Sequence, residues 1–132
     1  MLSIYYILQY FSYLTICFLF ADLQKQEVCN METFQGRCQG NDVIVMERAL
    51  YGRMRQGRCV RVSYGTLGCT SDVTRYFDTL CSGRKECSVK VPDDHLYALS
   101  ECPRDVTSYL EASYRCVPSE LVLFLSLNSI MR

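Results

Sequence analysis

The 132-residue chain has a single histidine, His95, and lacks any Cys-x-x-Cys pair, Gly-x-Ser-x-Gly elbow or Asn-x-Ser/Thr acceptor. Each absence closes a class of function. A structural metal site needs clustered thiolates and imidazoles. A hydrolytic triad would have to run through His95 with no elbow to present a nucleophile. N-glycosylation has no acceptor. Fourteen basic residues balance fourteen acidic ones, so nothing steers the chain toward nucleic acid or anionic lipid. No catalysis, metal or cofactor is expected. Asp93-Asp94-His95, the one stretch that invites such a guess, reads as a solvated turn after Pro92.

Charge is also missing from Leu2 to Ala21, where most positions are apolar. Such a run is a secretory signal or a membrane anchor, and the polar switch at Asp22 favours cleavage near Ala21. Either reading sends the rest of the chain to an oxidising compartment. The expected organisation is a signal peptide or signal anchor over residues 1–21, a short linker over 22–28, one domain over 29–117 and an apolar tail over 118–132. That tail, with Leu121 to Leu127 at its centre, falls short of the roughly 20 residues a membrane-crossing helix needs. It reads as a disordered end, a terminal strand or part of a lipid-anchor signal.

What the chain does have is cysteine. Nine are present, and one, Cys17, lies in the leader. The other eight are Cys29, Cys38, Cys59, Cys69, Cys81, Cys87, Cys102 and Cys116, an even set that implies four disulfides. A core this small is marginal without staples. Counting alone allows 105 pairings, and nothing in the spacing selects one.

Between the cysteines, Asp42 to Arg53 carries apolar side chains on both parities, which reads as a buried strand closed by a turn at Gly52. Cys59–Tyr64 and Cys87–Val91 alternate and read as two more strands. Tyr109–Cys116 alternates most cleanly, with Leu110, Ala112, Tyr114 and Cys116 on the inner face. One helix is expected, capped by Thr70 or Ser71, with Asp72 in its first turn, Val73, Phe77 and Leu80 on its apolar stripe and Gly83 as its stop. Short strands around one main helix make a small disulfide-rich α+β domain, antiparallel and sandwich-like.

Four stretches together carry a family likeness: Asp42-Val-Ile-Val-Met-Glu-Arg-Ala-Leu-Tyr-Gly-Arg53, Cys81-Ser-Gly-Arg-Lys-Glu-Cys-Ser-Val89, Cys102-Pro103 and Tyr109-Leu-Glu-Ala-Ser-Tyr-Arg-Cys-Val117. With the number and order of the cysteines, they make the chain resemble the SUEL-type lectin domain of fish-egg rhamnose-binding lectins and of the latrophilin N-terminus. The resemblance implies a carbohydrate-binding fold without catalysis. It also implies the pairing Cys29–Cys59, Cys38–Cys116, Cys69–Cys102 and Cys81–Cys87.

For the sugar site, the resemblance points to the positions of Asn30, Tyr51 and Ser108, with Glu101, Arg104 and Asp105 as candidates to substitute for the polar groups of the family pattern. The chain departs from the family pattern at several of them. Asn30 stands where family members carry an acid, Ser108 stands where a lysine is expected, and the loop after Cys102 is one residue longer than the common form. Vicinal hydroxyls need matched donors and acceptors, and each unmatched buried group costs roughly 1–3 kcal/mol. Gly52 and Arg53 read better as structural, with Gly52 supplying an unusual φ and Arg53 bracing an acidic side chain; Tyr51 reads equally as core ring or ligand contact. Arg53, Arg55, Arg58 and Arg61 form either a solvated face or a patch for an anionic glycan. The expected function is a secreted or cell-surface module that recognises rhamnose- or galactose-like glycans or glycoproteins. Its rival is an adhesion or receptor module on the same scaffold that has lost sugar binding.

Overall fold

A computed structural model describes residues 2–62 and 67–130. Ten elements run in chain order: α1 (Leu2–Phe20), β1 (Leu23–Val28), β2 (Thr33–Arg37), β3 (Asp42–Arg53), β4 (Cys69–Asp72), α2 (Thr74–Cys81), β5 (Glu86–Lys90), α3 (Asp94–Leu99), β6 (Tyr109–Pro118) and α4 (Ser119–Ile130). A four-stranded antiparallel sheet has the order β1-β6-β3-β4, and β2 pairs with β5 in a second, two-stranded sheet. This is the small disulfide-rich α+β architecture expected.

The long β3–β6 ladder is the spine, running from Asp42 opposite Pro118 to Gly52 opposite Tyr109. A bulge between Met46 and Arg48 interrupts its register. Its effect on the faces is large, because one extra residue inverts the alternation. Ile44 and Met46 point inward before the bulge, whereas Ala49 and Tyr51 do so after it. The apolar residues on both parities of β3 thus have two causes: the phase change at the bulge, and, before it, cover on the second face, where Val43 and Val45 pack with Val117, Leu121 and Leu14.

Gly52 lies within β3, opposite Thr70 and Tyr109, and does not close a turn. Its requirement is proximity rather than an unusual φ. A Cβ there would sit 2.3 Å from the Cys69 carbonyl oxygen and 2.8 Å from the Thr70 Cα, so only hydrogen leaves room for β4.

The core lies between the two sheets and α2. Phe34 from β2 meets Phe77 from α2 edge-to-face at 5.4 Å and Tyr114 from β6 at 6.0 Å. Ile44, Leu96 and Leu110 fill in around them, all fully buried. Helix α2 starts later than the sequence suggests. Thr70 and Ser71 belong to β4, Val73 occupies the cap position with no side-chain cap, and the Asp72 carboxylate instead accepts from the Thr74 backbone N–H. Val73 and Phe77 are buried as expected, and Gly83, at φ +84°, takes the chain out of the helix.

The four disulfides are Cys29–Cys59, Cys38–Cys116, Cys69–Cys102 and Cys81–Cys87, the pairs that the resemblance implies. Three other segments differ from expectation. Residues 22–28 are not a linker: β1 pairs with β6 along its length, and Val28 is buried. Cys59–Val62 is irregular rather than a strand, held by the Cys29 bridge and a Gly57–Val60 turn, while Ser63, Tyr64 and Gly65 lie outside the described residues. The 118–132 tail forms helix α4 over Ser119–Ile130, where Leu121 packs with Val117 and with Leu14 of α1. Among the described residues no helix is long and apolar enough to cross a membrane.

Candidate functional site

The connection from α3 to β6 folds into a tethered loop. Asp93 accepts from the Leu96 backbone N–H and so caps α3; the expected solvated turn is a helix start. Beyond α3, the Glu101 N–H donates to the Ser71 hydroxyl at 2.9 Å, and Cys102 is bonded to Cys69 of β4. The Pro103 carbonyl accepts from Val106 N–H at 3.3 Å. Arg53, almost fully buried, donates to the Thr107 carbonyl at 3.2 Å and to the Val62 carbonyl at 2.9 Å. Arg53 thus braces backbone, where the sequence suggested an acidic side chain.

This loop, the end of β3 and α3 enclose a cavity of about 40 Å³. Tyr51, Tyr97, Ser100, Arg104 and Ser108 line it together with the Cys102–Pro103 corner and Val106. The floor is buried and the mouth is open: Tyr51 is 4% and Ser108 6% exposed, against 46% for Tyr97. Burial pushes the Tyr51 hydroxyl above its ordinary range, nearby Asp93 adds to the effect, and a hydrogen bond from Ser108 works against it. At the mouth the Arg104 guanidinium lies over the Tyr97 ring, 4.7 Å from its centroid. A cavity of this size holds a few waters at about 10–15 Å³ each. It accepts one functional group of a ligand, while the body of that ligand rests on the rim.

Of the six residues picked from sequence, Tyr51, Arg104 and Ser108 meet here, although they come from separate parts of the chain. Asn30, Glu101 and Asp105 do not line the cavity. Asn30 is exposed in the turn after Cys29, and Glu101 and Asp105 are exposed as well. Tyr97 and Ser100 were missed. The signal for Tyr97 was the Asp93 cap three residues before apolar Leu96, which turns a presumed loop into a helix and swings Tyr97 to the cavity.

A profile of the D-galactoside/L-rhamnose binding SUEL lectin domain matches residues 36–116. The chain belongs to that family. Mouse eva-1 homolog C is 27% identical over 106 residues, which cover 76% of this chain and 24% of that protein. Human and mouse adhesion G protein-coupled receptor L1 are each 29% identical over 102 residues, covering 75% of this chain and 7% of the receptor. This SUEL chain therefore spans a small part of its much longer relatives. The family is one of non-catalytic, carbohydrate-binding modules.

Three of the four arginines between residues 53 and 61 of this SUEL domain are engaged. Arg53 holds backbone, Arg55 pairs with Glu111, and Arg58 pairs with Glu32, leaving Arg61 exposed on the rim of a separate depression. Asp93 is equally committed, since it accepts from both the Leu96 N–H and the Tyr76 hydroxyl. Burial, reinforced by Asp93, pushes that hydroxyl up to about 12. His95 stacks on the Tyr76 ring at 4.8 Å, a packing role. Glu27, Cys29 and Cys59 approach one another among the described residues, but both sulfurs are in a disulfide and cannot ligate a metal as thiolates.

Proposed function

We propose that this domain binds rhamnose- or galactose-type glycans, free or on cell-surface glycoproteins, through the Tyr51–Tyr97–Ser108 cleft. The observation that carries the reading is the convergence of Tyr51, Arg104 and Ser108 on one cavity in a chain of this family. The chemistry suits a sugar: the buried Tyr51 and Ser108 hydroxyls offer a donor and an acceptor to one ligand hydroxyl or ring substituent. The half-exposed Tyr97 ring offers an apolar face at the mouth. Recognition involves no bond making and no cofactor. The site acts outside the cell, on a chain whose first 21 residues serve as a secretory signal or signal anchor. A single shallow site binds weakly, so useful avidity comes from several modules acting on one surface.

A glycan array probed with the oxidised 132-residue chain, with free rhamnose and galactose as competitors, tests this. Binding that either sugar abolishes is the expected result. A specific observation favours a second reading, an adhesion or receptor module without sugar recognition: Asn30, Glu101 and Asp105 stay outside a cavity of only about 40 Å³. A blank array from a folded, four-disulfide protein would establish that second reading in place of the first.

A further inference from the structure

On the premise that this cleft is a sugar site, we infer that it selects an anionic sugar, one bearing a carboxylate or sulfate, through Arg104. Three observations converge. The Arg104 guanidinium carbon lies over the Tyr97 ring, 4.7 Å from its centroid, a contact with the ring face that uses none of the N–H donors of the fork. Among the described residues Arg104 has no ion-pair partner, as Arg48, Arg61, Arg75 and Arg84 also have none, whereas Arg37, Arg55, Arg58 and Arg115 are paired; of the unpaired ones only Arg104 lines this cavity. Both Arg104 and Tyr97 border the cavity, so the unspent positive charge stands at the place where a ligand group enters.

The surrounding charges place the anion at the rim. Asp93 accepts from the Leu96 N–H and the Tyr76 hydroxyl, and its charge is felt at Tyr51, which disfavours an anion at the floor. Glu101 and Asp105 are exposed and lie outside the lining. A planar fork meets a carboxylate or sulfate in a two-point, charge-assisted contact that a neutral hydroxyl cannot match. The cavity has room for one small group and not for a pyranose ring. The anion therefore sits at the Arg104 edge, and a neighbouring hydroxyl reaches down to Ser108 and Tyr51.

The test is calorimetric titration of the oxidised 132-residue chain with methyl galactoside, its 6-sulfate and methyl galacturonide, at low and high salt. At least one anionic sugar is expected to bind about tenfold or more tightly than the neutral parent, an advantage that shrinks with salt. Arg104→Gln should abolish the advantage, so that charged and neutral sugars bind that variant equally whatever its absolute affinity, and Arg104→Lys should restore only part of it. The sulfate and uronate arms separate the two sources of charge. Equal affinity for neutral and charged sugars would overturn the inference and leave the sugar site standing. An anionic advantage that survives Arg104→Gln would also overturn it. Failure of every sugar, charged or neutral, would remove the site itself.

Discussion

Arg58 clasps Glu32 with both arms of its guanidinium: Nη1 lies 2.7 Å from Oε1 and Nη2 3.1 Å from Oε2. The same two stretches of chain are joined next door by the Cys29–Cys59 disulfide, and Glu32 also accepts from the Cys29 N–H at 2.9 Å. Covalent and ionic fasteners thus share one seam. The arginine, helped by that N–H, holds the Glu32 carboxyl down at about 2. The folded-state value lies below the unfolded one, so the stabilisation is complete above the ordinary carboxylate range and disappears as pH falls toward 2. NMR titration should find the Glu32 midpoint near 2, returning to the ordinary range in Arg58→Gln. The Tm advantage of the parent over Glu32→Gln should fade across the same window. The pair is exposed, so its contribution at neutral pH is small.

Gly52→Ala should be the costliest small substitution in β3. The added methyl meets backbone at the Cys69 oxygen and the Thr70 Cα, neither of which can swing aside. Prising β4 from β3 is expected to cost about 1–3 kcal/mol or more in a urea unfolding experiment run with the disulfides intact. Gly36→Ala is the control. Its nearest neighbour at 2.9 Å is the terminal Cδ1 of Ile44, which can rotate, so a smaller loss is expected.

Phe34→Ala should cost about 3–5 kcal/mol, because it removes the ring that links Phe77 to Tyr114. A domain whose total stability is about 5–15 kcal/mol would then be close to its limit. Reduction should unfold the parent outright, since each disulfide is worth roughly 2–4 kcal/mol. Loss of the near-ultraviolet circular dichroism signal on adding dithiothreitol is the readout.

At the site, Tyr51→Phe removes one hydroxyl and leaves the ring in place. Affinity for a bound glycan is expected to fall about tenfold, in line with a lost buried hydrogen bond. Because Ser108 then loses its partner, a double-mutant cycle with Ser108→Ala should show the two losses to be non-additive.

Sequence carried much of the fold and three of the residues that line the proposed cleft, and the failures have physical causes. The β6 pattern was plain because Leu110, Ala112 and Tyr114 face the core while Glu111, Ser113 and Arg115 do not. Disulfide pairing came from family likeness, since spacing cannot rank the alternatives. Strand β1 was hidden by its Gln-Lys-Gln centre, because an outer strand open on one face shows little apolar alternation. In β3 the bulge at Glu47 scrambled the parity that reveals a buried face. Tyr97 escaped notice because a cap three residues ahead of it decides whether it sits on a helix or a loop. Asn30 was placed by analogy alone, and it does not line the cavity.

One modest contact bears on how copies of this domain can crowd together. The Gln26 carboxamide of β1 donates to the Gln35 carbonyl and accepts from the Gln35 N–H, so a side chain occupies the backbone groups of β2 that a further strand would seek. An unoccupied strand border invites a neighbouring molecule to zip onto it. Here the carboxamide acts as a stopper. Copies gathered on one multivalent ligand could stand shoulder to shoulder and still separate when that ligand leaves.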